Sequence, residues 1–210
     1  EKLGGKIATR LGNGLAPLEP GETDTVIIAG MGGDLICKIL KAKPEFLIEG
    51  KEFILQPQSE WFKVRRLLKE YRYQIEKEWF LKEDGKYYVI IKAEPTWTQP
   101  QRLKHQQPSI HEYIKEISET PANQAVSEKD MESIYEQYGK YLIETKNPVL
   151  KEYLEKEIVK KESIAADLKL SIKEMESEEL SGKERGNIAK RQRRYQEIQK
   201  EIRDMRKAIG

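Results

Sequence analysis

The sequence has few of the residues that build disulfide frameworks and metal sites. Its 210 residues include one cysteine, Cys37, and two histidines, His105 and His111. One cysteine excludes an internal disulfide and a zinc cage of thiolates, and two histidines argue against a His-rich metal site. We therefore expect a protein without a bound metal, working in a reducing, cytoplasmic compartment.

Long apolar runs are also missing. No stretch approaches the roughly 20 apolar residues that a membrane-spanning helix needs, so the sequence predicts no membrane partner. The hydrophobic set makes up 38% of the chain and charged residues 35%. That is enough apolar material for one core but not for two, because domains run to about 100–200 residues each. We expect one compact domain and one elongated, solvated part.

The formal net charge of +2 conceals a basic segment near the end of the chain. Residues 183–207 contain ten Lys or Arg and four Asp or Glu. Within this segment four of the five positions 190–194 are basic, and we call these four residues the basic cluster: Lys190, Arg191, Arg193 and Arg194. A solvated coiled-coil face would also be rich in charge, but a cluster of one sign repels itself unless a polyanion is present. The cluster therefore favours contact with a nucleic-acid backbone.

The first hundred residues alternate short apolar runs with turn signals. The run from Thr25 to Ala29 is typical of a strand buried on both faces, and Asp34 is placed to cap the helix that follows. The other predicted elements are a strand at 53–55, a helix at 61–71, and strands at 74–82 and 86–93 around an Asp-Gly turn. This order predicts an α/β fold whose sheet is mostly parallel, with one antiparallel excursion near its edge.

Prolines interrupt the pattern between 95 and 108, and the chain is helical after them. We predict a sheet domain over 1–95, a linker over 96–108 and a helical domain over 109–210. Apolar residues recur every three or four positions on both sides of Ser181–Gly182, although Lys161 interrupts the seam. This spacing predicts an antiparallel coiled-coil hairpin.

Glycine-rich turns supply the candidate ligand sites. Gly30, Gly32 and Gly33 lie between a strand and a helix, at the sheet edge where open α/β sheets bind ligands. The spacing fits neither a P-loop nor the dinucleotide fingerprint, and a tight turn without function remains the alternative.

Asn13, between two glycines, could pair with an adenine edge or be a plain turn. Gln56–Pro57 could hold a base or ribose, or cap a helix. With no catalytic triad or paired carboxylates, any chemistry must come from a bound cofactor and from positioning.

Several segments together resemble the bacterial TrmK family, S-adenosylmethionine-dependent tRNA (adenine(22)-N(1))-methyltransferases. The resemblance rests on residues 10–16 (RLGNGLA), 24–33 (DTVIIAGMGG), 54–57 (ILQP), 83–88 (EDGKYY), 138–142 (YGKYL) and 146–149 (KNPV). It implies a class I, Rossmann-like methyltransferase domain followed by a coiled coil that helps grip tRNA.

The resemblance also implies roles for particular residues. Gly12, Asn13, Gly14 and Ala29 would lie on the cofactor side. Gly30, Met31, Gly32 and Gly33 would shape the reaction pocket, with Gln56 and Pro57 beside it, and the basic cluster would contact tRNA phosphates. Methyl transfer to N1 of an adenine needs alignment more than an acid or a base, and the base must leave its stack.

One part of the family pattern is absent. Residues 1–24 contain no match to the first motif, which holds the methionine end of the cofactor, so we expect the chain to lack the N-terminal part of the sheet. Such a chain is not expected to hold the cofactor fully. The alternative to an enzyme is a non-catalytic RNA-binding or assembly module built on a methyltransferase scaffold.

Overall fold

The computed structural model describes residues 7–96, 126–176 and 182–210. The chain divides into two compact units, residues 1–126 and 127–210. Nearly all of the predicted linker at 96–108 lies outside the described residues, so the domain boundary stays a prediction.

The first unit contains the strands and helices that the sequence predicts, and one short helix that it does not. The elements are β1 (Thr25–Met31), α1 (Gly33–Ala42), α2 (Pro44–Ile48), β2 (Glu52–Pro57), α3 (Trp61–Glu70), β3 (Tyr73–Glu83) and β4 (Lys86–Pro95). Asp84 and Gly85 both have positive φ, 48° and 74°, as a two-residue hairpin turn of the Asp-Gly type requires. The unpredicted helix α2 begins at Pro44, whose fixed φ suits a first helical position.

The sheet has the strand order β1-β2-β4-β3. β1 and β2 are parallel, whereas β4 pairs antiparallel with both β2 and β3. The expectation of a mostly parallel sheet is therefore wrong for the described strands, because β4 inserts between β2 and β3 and makes two antiparallel pairings. The parallel pair is the part that matters for the site, since its two carboxyl ends meet at one edge.

One face of the sheet carries the core. Phe53, Leu55 and Ile91 are completely buried on neighbouring strands, and α1 and α3 contribute further buried apolar side chains, including Ile36, Leu40, Val64 and Leu68. On the same face an ion pair joins α3 to β3: Arg65 Nε donates to Glu78 Oε1 at 2.7 Å, and both side chains are almost fully buried. This pair fixes the position of α3 against the sheet.

β1 differs from its prediction. Val26 and Ile28 are buried, but Ile27 between them is 67% exposed. Side chains alternate between the two faces of a strand, so Val26 and Ile28 face the core and Ile27 lies on the opposite face, which the described residues leave largely uncovered there. The apolar run correctly indicates a strand, but burial on both faces does not follow.

The second unit is helical, with α4 (Val126–Tyr138), α5 (Lys140–Glu144), α6 (Pro148–Glu176) and α7 (Gly182–Ile209). α6 and α7 form the predicted antiparallel hairpin: Lys161 pairs with Glu201, whereas Ser171, further along α6, contacts Arg191, which is earlier in α7. Lys161, which interrupts the apolar seam, is matched by a carboxylate on the facing helix at 2.5 Å. Among the described helices, none is both long and apolar enough to span a membrane.

Candidate active site at the glycine-rich edge of the sheet

β1 ends in an irregularity centred on Gly30. Ala29 pairs with Gln56 and Met31 pairs with Pro57, so Gly30 has no partner in the ladder. Its φ of +78° lies in the region where a side chain is strained. A Cβ at this position would meet no atom within 4 Å. The backbone at Gly30 is therefore open to close approach by a ligand.

Gly33 is required for a different reason. A Cβ at Gly33 would lie 2.6 Å from the carbonyl oxygens of both Ser59 and Glu60, and one at Gly32 would lie 3.2 Å from Ser59 Oγ. Gly32 is also the N-cap of α1, so the prediction that Asp34 caps this helix is wrong. Asp34 lies within the first turn because the N-cap is two residues earlier than predicted.

Three hydrogen bonds join the segments at the ends of β1 and β2. The Gly30 N–H donates to Gln56 Oε1 at 2.7 Å. The Gln58 N–H donates to Met31 O at 2.8 Å, and the Gly33 N–H donates to Ser59 O at 2.9 Å. We call residues 29–33 and 56–60 together the shelf. The bonds continue the pairing beyond the strands and hold the two segments side by side.

Charged side chains reinforce this connection. Lys63 Nζ lies 2.9 Å from Asp34 Oδ1 and 2.5 Å from Glu60 Oε1, while Asp34 also pairs with Lys38 at 2.7 Å. Hydrogen bonds from Lys38 and then Lys63 lower the pKa of Asp34 to about 2. Local sequence patterns do not reveal the Lys63–Asp34 pair, because its two residues are 29 positions apart and on different helices.

Gln56 and Pro57 lie where the sequence places them, beside the glycines. Pro57 is buried at the end of β2, and Gln56 is half-buried. The Gln56 amide uses its oxygen to hold Gly30. Its Nε2 atom is buried and has no hydrogen-bond partner within the described part of the chain. The shelf thus contains a buried side-chain donor that has no hydrogen-bond partner among the described residues.

The Gly12–Asn13–Gly14 turn lies apart from these bonds and has its own packing. A Cβ at Gly14, where φ is +57°, would lie 2.9 Å from a methyl carbon of Ile39 on α1, and one at Gly12 would lie 2.7 Å from the Pro17 ring. Asn13 is exposed, and its carbonyl oxygen accepts a hydrogen bond from the Ala16 N–H at 3.1 Å. Packing against Pro17 and Ile39 thus explains why glycine occupies these two positions. The cofactor role of the turn stays a prediction.

The basic cluster lies on α7, in the second unit, and is less uniform than its sequence indicates. Arg194 contacts Glu197 at 3.1 Å and Glu201 at 3.4 Å, and these carboxylates raise its pKa. Arg191 donates to Ser171 Oγ on α6. Lys190 and Arg193 have no ion-pair partner among residues 7–96, 126–176 and 182–210. The expectation of an unrelieved cluster is therefore wrong for Arg194, because acids one and two turns later fold back beside it.

No group of three or more His, Cys, Asp or Glu within the described ranges is arranged to hold a metal ion. The expectation of a protein without a metal stays a prediction.

Comparison with known proteins identifies the family. The family model described as tRNA (adenine(22)-N(1))-methyltransferase, TrmK, matches residues 1–136. The tRNA (adenine(22)-N(1))-methyltransferase of Bacillus subtilis is 41% identical over 92 residues, which are 44% of this chain and 39% of that protein. The matched region thus covers well under half of the length of this curated relative.

Solved structures agree on the fold. The crystal structure of the B. subtilis m1A22 tRNA methyltransferase TrmK superposes with a TM-score of 0.59 at 23% identity, covering 96% of this chain and 69% of that one. The structure of M. capricolum TrmK in complex with S-adenosylhomocysteine superposes with a TM-score of 0.56 at 20% identity, covering 95% of this chain and 67% of that one. The sheet and its helices have a Rossmann-like methyltransferase fold, as the sequence predicts. The family match over residues 1–136 shows that the chain belongs to the TrmK family of tRNA (adenine(22)-N(1))-methyltransferases.

Proposed function

We propose that this protein transfers a methyl group from S-adenosylmethionine to N1 of an adenine in tRNA, at position 22. Family membership supports the reaction, and the shelf supports its location. The observation that carries the proposal is the open backbone at Gly30, at the carboxyl ends of two parallel strands. Ligands bind at this edge in open α/β sheets.

The residues present fit one side of a cofactor at this edge, while the motif expected to hold its methionine end has no match in residues 1–24. No atom lies within 4 Å of the position that a Cβ would take at Gly30, so a ligand can approach the backbone there without moving a side chain. Bound S-adenosylmethionine supplies an activated methyl group. Ala29 and the Gly12–Asn13–Gly14 turn would lie on the cofactor side, in line with the family resemblance.

The shelf itself would act by positioning. N1 of adenine is already a nucleophile, so the protein must align it with the methyl group and keep both in place. Gly30, Met31, Gly32 and Gly33 would form the floor of the reaction pocket. Three hydrogen bonds join the two segments of the shelf, and the Lys63–Asp34 ion pair joins the helices that follow them. Together they hold these glycines in position before the substrate binds. Gln56 and Pro57 would border the adenine after it leaves its stack.

The basic cluster on α7 would bind phosphates of the tRNA. Lys190 and Arg193 are better placed for this than Arg194, because carboxylates already neutralise part of the charge of Arg194. Each Lys or Arg that neutralises a phosphate adds to the salt dependence of binding. Because tRNA is the substrate, we place the reaction in the cytoplasm.

Calorimetry with S-adenosylhomocysteine on the full-length protein tests the proposal against the non-catalytic module. Gly30→Ala places a methyl group in the open space, and Gly21→Ala is its matched control. Gly21 also has a positive φ, +84°, and free space around it, so both variants carry similar backbone strain. We expect the wild type and Gly21→Ala to bind alike and Gly30→Ala to bind at least about tenfold more weakly, a loss of about 1.4 kcal/mol. Absence of binding by the wild type would support the module instead.

A further inference from the structure

Only one of the two polar atoms of the Gln56 side-chain amide has a hydrogen-bond partner among the described residues. Its Oε1 accepts a hydrogen bond from the Gly30 N–H at 2.7 Å, which fixes the orientation of the amide. Its Nε2 is buried and has no partner among the described residues. A buried donor without a partner is unfavourable, because nothing replaces the hydrogen bonds that it made to water, so such a group calls for an explanation. The amide lies on the shelf, where the proposed reaction takes place.

The remaining capacity of this amide matches one edge of adenine. A carbonyl oxygen has two lone pairs, so Oε1 can accept a second hydrogen bond while Nε2 donates one. Adenine offers a donor, N6, beside an acceptor, N7, and a glutamine amide can bind both at once. The reacting atom N1 is on the other side of N6 and stays free. A contact to N6 and N7 thus holds the base without blocking the atom that receives the methyl group.

We propose that Gln56 reads the target base through N6 and N7, accepting from N6 with Oε1 and donating to N7 with Nε2. This inference rests on the proposed function. The terminal torsion of glutamine has a broad energy profile, so a partial rotation of the amide can uncover Nε2 for an entering base while Oε1 keeps its hydrogen bond to the Gly30 N–H. Guanine is rejected, because its O6 is an acceptor and would face the acceptor Oε1.

The test uses single-turnover methyl transfer by the full-length protein to two tRNAs. One has adenine at the target position, and the other has 7-deazaadenine, which lacks the N7 acceptor but keeps N1 and N6. Leaving the Nε2 donor unpaired should slow the wild type on the 7-deaza tRNA by about 5- to 150-fold. The ratio of the two rates is the measured quantity.

Two variants of Gln56 show whether the ratio depends on this amide. Gln56→Glu retains an acceptor for Gly30 but loses the NH₂ donor, and Gln56→Met removes both functions at similar size. Both should react slowly with adenine and give a rate ratio near one. Gln74→Glu is the matched control, since Gln74 is an exposed residue of β3 that undergoes the same chemical change. It should keep the wild-type ratio.

The possible results separate the alternatives. Equal wild-type rates on the two tRNAs would overturn base reading by Gln56 while leaving the proposed function intact. If the variants are slow but keep the wild-type ratio, Gln56 serves only to support Gly30, and the proposal is wrong. Calorimetry with S-adenosylhomocysteine should give similar affinities for the wild type, Gln74→Glu and Gln56→Glu, which keeps an acceptor for Gly30, and this result excludes general misfolding as the cause. No transfer to either tRNA by the wild type would refute the proposed function and this inference with it.

Discussion

Replacing Gly33 with alanine tests the packing of the shelf. The new methyl carbon would lie 2.6 Å from two backbone oxygens, Ser59 O and Glu60 O. Neither oxygen belongs to a flexible side chain, so the loop after β2 must retreat by about 0.4 Å to reach even a 3.0 Å contact. The retreat lengthens the hydrogen bond from the Gly33 N–H to Ser59 O, now 2.9 Å.

The expected cost follows from these changes. Overpacking of this kind costs about 1–3 kcal/mol, and weakening the hydrogen bond adds about 0.5–1.5 kcal/mol. Alanine in place of glycine in a helix returns up to about 1 kcal/mol. We therefore expect Gly33→Ala to lower the free energy of unfolding of the first unit by about 2 kcal/mol.

Gly186→Ala is the matched control. Gly186 lies in α7, and a Cβ there would meet nothing within 4 Å. The same substitution should raise stability at this site by about 0.5–1 kcal/mol. Urea unfolding of the full-length proteins, followed by tryptophan fluorescence and circular dichroism, measures both changes. If Gly33→Ala is as stable as the wild type, the two loops are not packed as the structure describes.

Three further predictions concern charged groups. Because the folded-state pKa of Asp34 is lowered to about 2 from 3.8, its ion pairs should stabilise the fold above about pH 3.8 and be lost as the pH falls through about 2; an NMR titration midpoint of 3.8 or higher would contradict this. Glu78→Ala should destabilise the fold by about 3–5 kcal/mol in urea, because it leaves Arg65 charged in the core; a loss below 1 kcal/mol would refute the buried pair. Lys190→Gln should reduce the salt slope of tRNA binding by about one, whereas Lys200→Gln, whose lysine already pairs with Asp204 at 2.6 Å, should change it less; equal slopes would move the RNA contact elsewhere.

Local sequence patterns predict much of this fold. The apolar run at Thr25, the apolar spacing around Val64 and the Asp84–Gly85 turn all depend on neighbours within a few positions. Each therefore yields the correct element, although the boundaries shift by one or two residues. The antiparallel hairpin of α6 and α7 is predictable for the same reason, since its seam repeats along both helices.

Features that depend on distant partners are not predictable in this way. The exposure of Ile27 depends on what packs against the second face of β1, and the two antiparallel pairings follow from the insertion of β4 beside β2. The Lys63–Asp34 ion pair is equally invisible to a local pattern.

The glycines of the shelf show how far the candidate site itself could be predicted. The sequence marks Gly30 and Gly33 together as a ligand site. The structure separates them into one glycine that leaves open space and one that permits close packing. To make that distinction one must know the position of the loop around Ser59, which follows β2, the next strand along the chain.

The most direct test of the central claim is methyl transfer itself. Full-length protein is incubated with labelled S-adenosylmethionine and unmodified tRNA, and the digested product is analysed by mass spectrometry. The proposal predicts one labelled nucleoside, N1-methyladenosine, mapped to position 22. Unlabelled tRNA, or label on another base or atom, would contradict it.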